Sequence, residues 1–130
     1  MLSEVRRPRG DAGVKRWISS IPTEDLYLSV LTLGEVRRGI VLLSRRDQTQ
    51  AGVSEAWLIT ILRDYADRIL PVDVEAAEEW GRMNVPDPIS VVDGLMAATA
   101  KVRNMTFVTR NTSDVARTGV RLLNPFDTSE

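Results

Sequence analysis

Glu35, Asp93, Asn111 and Asp114 are the residues whose type and placement could do chemistry. Asp93 enters the stretch Ile89–Ala100 (ISVVDGLMAATA), in which strong helix formers follow the acid on nearly every side. Ser90 and Asp93 have the spacing of a capping box, and Thr32 and Glu35 repeat it. Glu35 stands one helix turn beyond an expected strand at Leu26–Val30; Asn111 and Asp114 directly follow another at Met105–Thr109. In open parallel sheets, sites form beyond the carboxyl ends of the strands. Two readings therefore stand side by side: separate helix caps, or acids converging on one crevice. Convergent carboxylates suit Mg²⁺ or Mn²⁺, hard ions that prefer oxygen ligands, activate water and stabilise phosphoryl transition states.

Composition narrows the chemistry further. The 130-residue chain has no histidine and no cysteine. Imidazole bases, Ser-His-Asp triads, thiolate nucleophiles, disulfides and His- or Cys-ligated zinc are all excluded. The lack of cysteine is compatible with a reducing cytoplasm, the expected location. No apolar run approaches a membrane span and no signal peptide opens the chain, so no membrane partner is expected. A formal charge of −1 gives no overall attraction to nucleic acid. The 15 arginines among 17 basic residues cluster at Arg6, Arg7 and Arg9, at Arg37 and Arg38, and at Arg45 and Arg46. Such pairs can fork a phosphate or simply coat a solvated helix face. Trp17, Trp57 and Trp80 sit at core-like helical positions, which favours packing over base stacking.

Positioning these groups falls to alternating short apolar strands and helices. Strands are expected at Leu26–Val30, Ile69–Val72, Met105–Thr109 and Val120–Leu123. Helices are expected over Ala12–Ser20, from Thr32 to Leu43, over Ser54–Arg68, over Val74–Asn84 behind an Asp73 cap, and from Ile89 to a left-handed end near Asn104. Ser44–Gly52 reads as a polar loop, and Pro86-Asp87-Pro88 forces another. The alternation predicts a single α/β domain with a parallel sheet flanked by helices.

At these residues the chain resembles the PIN domains, specifically the VapC/FitB-type ribonuclease toxins. The likeness rests on LSEVRRP at residues 2–8, LSVLTLGEVRRGI at 28–40, ISVVDGLMAATA at 89–100 and TFVTRNTSDV at 106–115, and it spans essentially the whole chain. It implies a PIN-like three-layer α/β fold with a mostly parallel central sheet. It also implies Mg²⁺- or Mn²⁺-dependent cleavage of RNA phosphodiesters, a homodimer, and a VapB-type antitoxin that blocks the site. Residue by residue, Glu35 and Asp93 match family acids. Asn111 stands where many relatives carry a late acid, Asp114 matches the acid of the related TRN-x-x-D pattern, and Thr109 adds a hydroxyl. Glu35, Asp93 and Asp114 would hold the metal, with Asn111 as a ligand or supporting donor. Of Arg37, Arg38 and Arg110, the last two are the better candidates for RNA phosphates.

The resemblance further implies an apolar strand ending in Asp-Thr-Asn directly before a segment like LSEVRRP, and this chain begins beyond it. A misread start codon is the expectation, with that strand and its metal-binding Asp encoded just upstream. The alternative function is a catalytically inactive, shortened PIN-like protein that binds an antitoxin or itself. A receiver-like domain phosphorylated on Asp shares the layout but lacks its paired early acids and late lysine.

Overall fold

The computed structural model describes residues 23–109 and 115–123. Two compact units separate among the described residues, Glu24–Pro71 and the described part of Val72–Glu130.

In the unit Glu24–Pro71, a 3₁₀ turn at Thr23–Asp25 leads to strand β1 (Leu28–Ser29), helix α1 (Val30–Ser44), helix α2 (Gln48–Asp64) and strand β2 (Ile69–Leu70). The strands pair in parallel, Leu28 opposite Ile69 and Ser29 opposite Leu70. Helices α1 and α2 form a hairpin because each carries one apolar stripe. Leu33, Val36, Ile40 and Leu43 of α1 meet Ala51, Trp57 and Leu58 of α2. Buried Ala51 and Ser54 keep the seam narrow. Arg37 joins the helices across their exposed side with a two-point bond to the Glu55 carboxylate, one arm at 2.9 Å. That hydrogen-bonded guanidinium holds the Glu55 carboxyl below the usual carboxylate range.

Several boundaries differ from expectation, and the helix expected over Ser54–Arg68 ends at Asp64. Helix α1 begins earlier, because the Ser29 hydroxyl rather than Thr32 caps it, accepting from the Leu31 N–H at 3.0 Å. The expected loop Ser44–Gly52 shrinks to residues 45–47: Asp47 caps α2 by accepting from Gln50 N–H at 3.0 Å. Trp57 and Leu58 turn inward to the hairpin core, while Val41, Leu42, Val53, Ile59 and Leu62 are exposed.

The second unit carries helix α3 (Val74–Met83), helix α4 (Val91–Val102), strand β3 (Thr106–Val108), a 3₁₀ turn (Ala116–Thr118) and strand β4 (Arg121–Leu123). Strands β3 and β4 are parallel, with Phe107 opposite Leu122. Met83, Ala97, Ala98, Ala100, Val115 and Val120 form the core, with Trp80, Ile89, Met105, Phe107 and Leu122 packed around it. Helix α4 ends as expected: Asn104 takes φ 59°, the left-handed value that an asparagine tolerates. Gly119, at φ 85°, turns the chain into β4. Among the described residues no helix is long and apolar enough to cross a membrane.

Asp73 has two partners. Its carboxylate caps α3 by accepting from the Ala76 N–H at 2.9 Å, and it also pairs with Arg103 at 3.3 Å. Asp73→Ala should lower unfolding stability by about 1 kcal/mol, within the roughly 0.5–2 range of lost N-caps. Asp73→Asn, which keeps a capping oxygen, should cost less in the same urea titration.

Candidate active site

Asp93 occupies the first turn of α4 and is half-buried. Behind it the helix presents Gly94, Ala97, Ala98, Thr99 and Ala100 inward, all buried. Thr99 enters this apolar layer because its hydroxyl donates to the Leu95 carbonyl one turn back, at 2.8 Å. The small residues allow α3 to lie close, bringing Trp80 and Met83 against α4.

The start of α4 is tied down from several sides. Ser90 holds the N-cap position, but its hydroxyl makes no capping bond, so that half of the expected capping box is not formed. Instead the Asn84 side chain bridges the two helices: its Nδ2 donates to the Trp80 carbonyl at 2.7 Å, and its Oδ1 accepts from the Ile89 N–H at 3.0 Å. Arg117 grips the intervening loop through the carbonyls of Met83 at 3.2 Å, Pro88 at 3.4 Å and Asp87. The loop contains a cis Val85–Pro86 peptide bond.

At the far end of α4, Lys101 Nζ donates to Glu79 Oε2 and to the Thr118 carbonyl, both at 2.8 Å. Glu79 also accepts from Arg82 at 3.0 Å. Lys101 first, and Arg82 second, hold the Glu79 carboxyl below the usual carboxylate range. Lys101 is thus a structural cation on the α3–α4 pair.

The other expected site residues divide plainly. Thr109 follows β3 and is buried; its N–H continues the ladder to the Leu123 carbonyl at 3.0 Å. Glu35 lies in the second turn of α1, exposed, in the other unit from Asp93. Arg38, one turn further along α1, is exposed and has no side-chain partner among the described residues. Asn111, Asp114 and Arg110 lie outside the described residues. Among those described, no three Asp, Glu, His or Cys side chains stand together to hold a metal ion. Gly94, Asn84 and Arg117 escaped sequence reasoning. Only Gly94 left a signal, a glycine inside an otherwise strong helix pattern.

The parallel α/β layout and the acid opening α4 define a class. Residues 2–120 match the PIN domain, and the chain belongs to that family. It is 33% identical over 131 residues to Toxin FitB of Neisseria gonorrhoeae, covering 97% of this chain and 94% of that protein. It is also 29% identical to VapC ribonuclease Y4jK of Sinorhizobium fredii, over 98% of this chain and 94% of that one. The structure of FitAB bound to an IR36 DNA fragment matches with a TM-score of 0.90 at 32% identity, over 99% of this chain and 93% of that one. The expected α/β PIN fold is therefore this chain's fold.

The electrostatics of α3 and α4 give a pH dependence. Because the folded-state pKa of Glu79 is depressed, its stabilising contribution is complete above the ordinary glutamate value, about 4.3. It is lost as pH falls through the lower folded-state value. Glu79→Gln should flatten the acid side of a stability-versus-pH curve measured by urea unfolding and lower stability at neutral pH.

Proposed function

We propose that this chain is the toxin of a type II toxin–antitoxin pair and an endoribonuclease that cleaves RNA phosphodiester bonds with Mg²⁺ or Mn²⁺. The observation that carries the proposal is Asp93: a half-buried acid opening the buried helix of a PIN domain, in a chain one-third identical to Toxin FitB across nearly its full length. The name VapC ribonuclease, borne by a second full-length relative, supports the reaction class.

The donor chemistry fits a hard cation. With no histidine or cysteine in the chain, Asp93, Glu35 and Asp114 offer carboxylate oxygens and Asn111 an amide oxygen. Asp93, Glu35 and Asp114 would be its ligands, with Asn111 as a further ligand or supporting donor. When bound, the ion would supply charge stabilisation at the phosphoryl group and acidify water. Arg38, without a partner among the described residues, and Arg110 would bind RNA phosphates. Arg37 is a weaker candidate, since its guanidinium is engaged by Glu55.

A VapB-type antitoxin is the proposed protein partner, supported by the FitAB complex of the similar structure. The exposed apolar residues Val41, Leu42, Val53, Ile59 and Leu62 of α1 and α2 suit a helical segment of such a partner. A homodimer and a cytoplasmic location complete the proposal.

Purified protein should cut single-stranded RNA only with Mg²⁺ or Mn²⁺ present. Asp93→Asn should reduce that rate by ~100-fold or more, the scale of losing one electrostatic contact in a preorganised site. A parent chain that captures its neighbouring gene's product yet cuts no RNA with either ion would refute the nuclease proposal. The inactive binding module would then be the better account.

A further inference from the structure

The acid at the start of α4 is followed by a residue with no side chain. Gly94 directly follows Asp93 and is buried. A methyl group on its Cα would stand 2.7 Å from Ile89 Cδ1, 2.9 Å from Ile89 Cγ1 and 3.0 Å from Trp80 Cδ1. Carbon atoms pack at about 3.5–4.0 Å, so something would have to move. The other helical glycines, Gly34, Gly39, Gly52 and Gly81, would meet nothing within 4 Å.

Of the neighbours of Gly94, the Trp80 ring has little freedom to withdraw, whereas Ile89 Cδ1 is the end of a side chain that can turn aside from a fixed backbone. Ile89 is held by its N–H on Asn84 Oδ1, and the same Asn84 amide is fastened to the Trp80 carbonyl. Arg117 holds the loop between them at three carbonyls. The Trp80 ring packs against the core, and its Nε1 is buried without a hydrogen-bond partner, so packing alone fixes the ring. With the Ile89 backbone and the Trp80 ring held, the first turn of α4 is the part that gives against the ring.

We infer that Gly94 is a positioning residue for Asp93: its bare Cα lets the first turn of α4 seat on Trp80 and Ile89, and a larger residue lifts that turn and the carboxylate with it. The placement stands on packing; its consequence for function rests on Asp93 being a cation ligand, as proposed above.

The test compares the parent chain with Gly94→Ala, Ile89→Ala and the double variant. Ile89→Ala removes both atoms that the new methyl would meet most closely and opens room beside Trp80. The first readout is Mn²⁺ affinity by titration. The second, without metal and at fixed pH, is the NMR signals of the Asp93 backbone amide and carboxyl carbon. Gly94→Ala should weaken Mn²⁺ binding by about tenfold or more, the scale seen when groups that orient a ligand are disturbed. It should also shift the Asp93 signals. The double variant should return both towards the parent, although Ile89→Ala alone lowers stability. An effect transmitted through the adjacent peptide bond, or through general loss of stability, would persist or grow in the double variant, and that result overturns the inference. Asp93 signals left unmoved by Gly94→Ala overturn it equally. A parent that binds no Mn²⁺ defeats the cation reading of Asp93 alone, and the NMR comparison still decides the placement.

Discussion

Helix α4 presents a face of small residues to Trp80 and Met83 of α3, and the second unit depends on how closely the two helices approach. Ala97 and Ala98 have no exposed surface at all. Such residues bury little apolar area each, so the gain comes from many close contacts along the helices rather than from a few large side chains. An interface of this kind holds little that truncation could remove, and it tolerates addition poorly, because the added volume must separate the helices. Trp80 and Met83 then fill the flanks that the close approach leaves open.

The polar groups around this interface are distributed to match it. Asp93 lies in the first turn of α4 and Lys101 in the last, the order a helix dipole favours. Lys101 is spent on Glu79 and the Thr118 carbonyl, so it fixes the C-terminal half of α4 to α3 and to the turn before β4. Asn84 and Arg117 do the corresponding work at the N-terminal half through backbone carbonyls and an N–H. Carbonyls in a loop cannot all be met by helix or sheet ladders, and a guanidinium with several donors serves a cluster of them at once.

Much of the layout was legible because it depends on local chemistry. Asp73 before Val74 and Asn104 after α4 behave as their types dictate, and strand–helix alternation carried the parallel pairing. The misplaced boundaries share a cause. Polar residues 44–52 look like a loop by composition, yet Asp47 is a helix cap and Ala51 and Ser54 face α1. Thr32 and Ser90 satisfy a local capping pattern, but Ser29 starts the first helix and the Ser90 hydroxyl makes no capping bond. A cap motif states what a residue can do; the surrounding packing decides whether it does. The acids were legible as types and positions for the same reason; among the described residues no three of them stand together, and Asn111 and Asp114 lie outside those residues.

Arginine abundance is the feature most open to a mistaken functional reading, and the structure gives much of it another meaning. Arg37 is paired with Glu55, Arg82 with Glu79 and Arg103 with Asp73, while Arg117 and Arg121 donate to backbone carbonyls. Arg68 reaches the Leu26 and Asp64 carbonyls and lies over the Tyr65 ring, 4.8 Å from its centroid. These guanidiniums are clamps that serve the fold, and a phosphate would have to displace a partner to use them. Among the described arginines, Arg38, Arg45 and Arg46 have no side-chain partner. Arg38 alone of these lies on the same helix face as Glu35, one turn away, where an acid and a base at i, i+3 are neighbours. Yet Glu35 and Arg38 form no ion pair. Arg38 therefore keeps a guanidinium that no described side chain occupies, whereas its neighbour Arg37 is held at two points by Glu55.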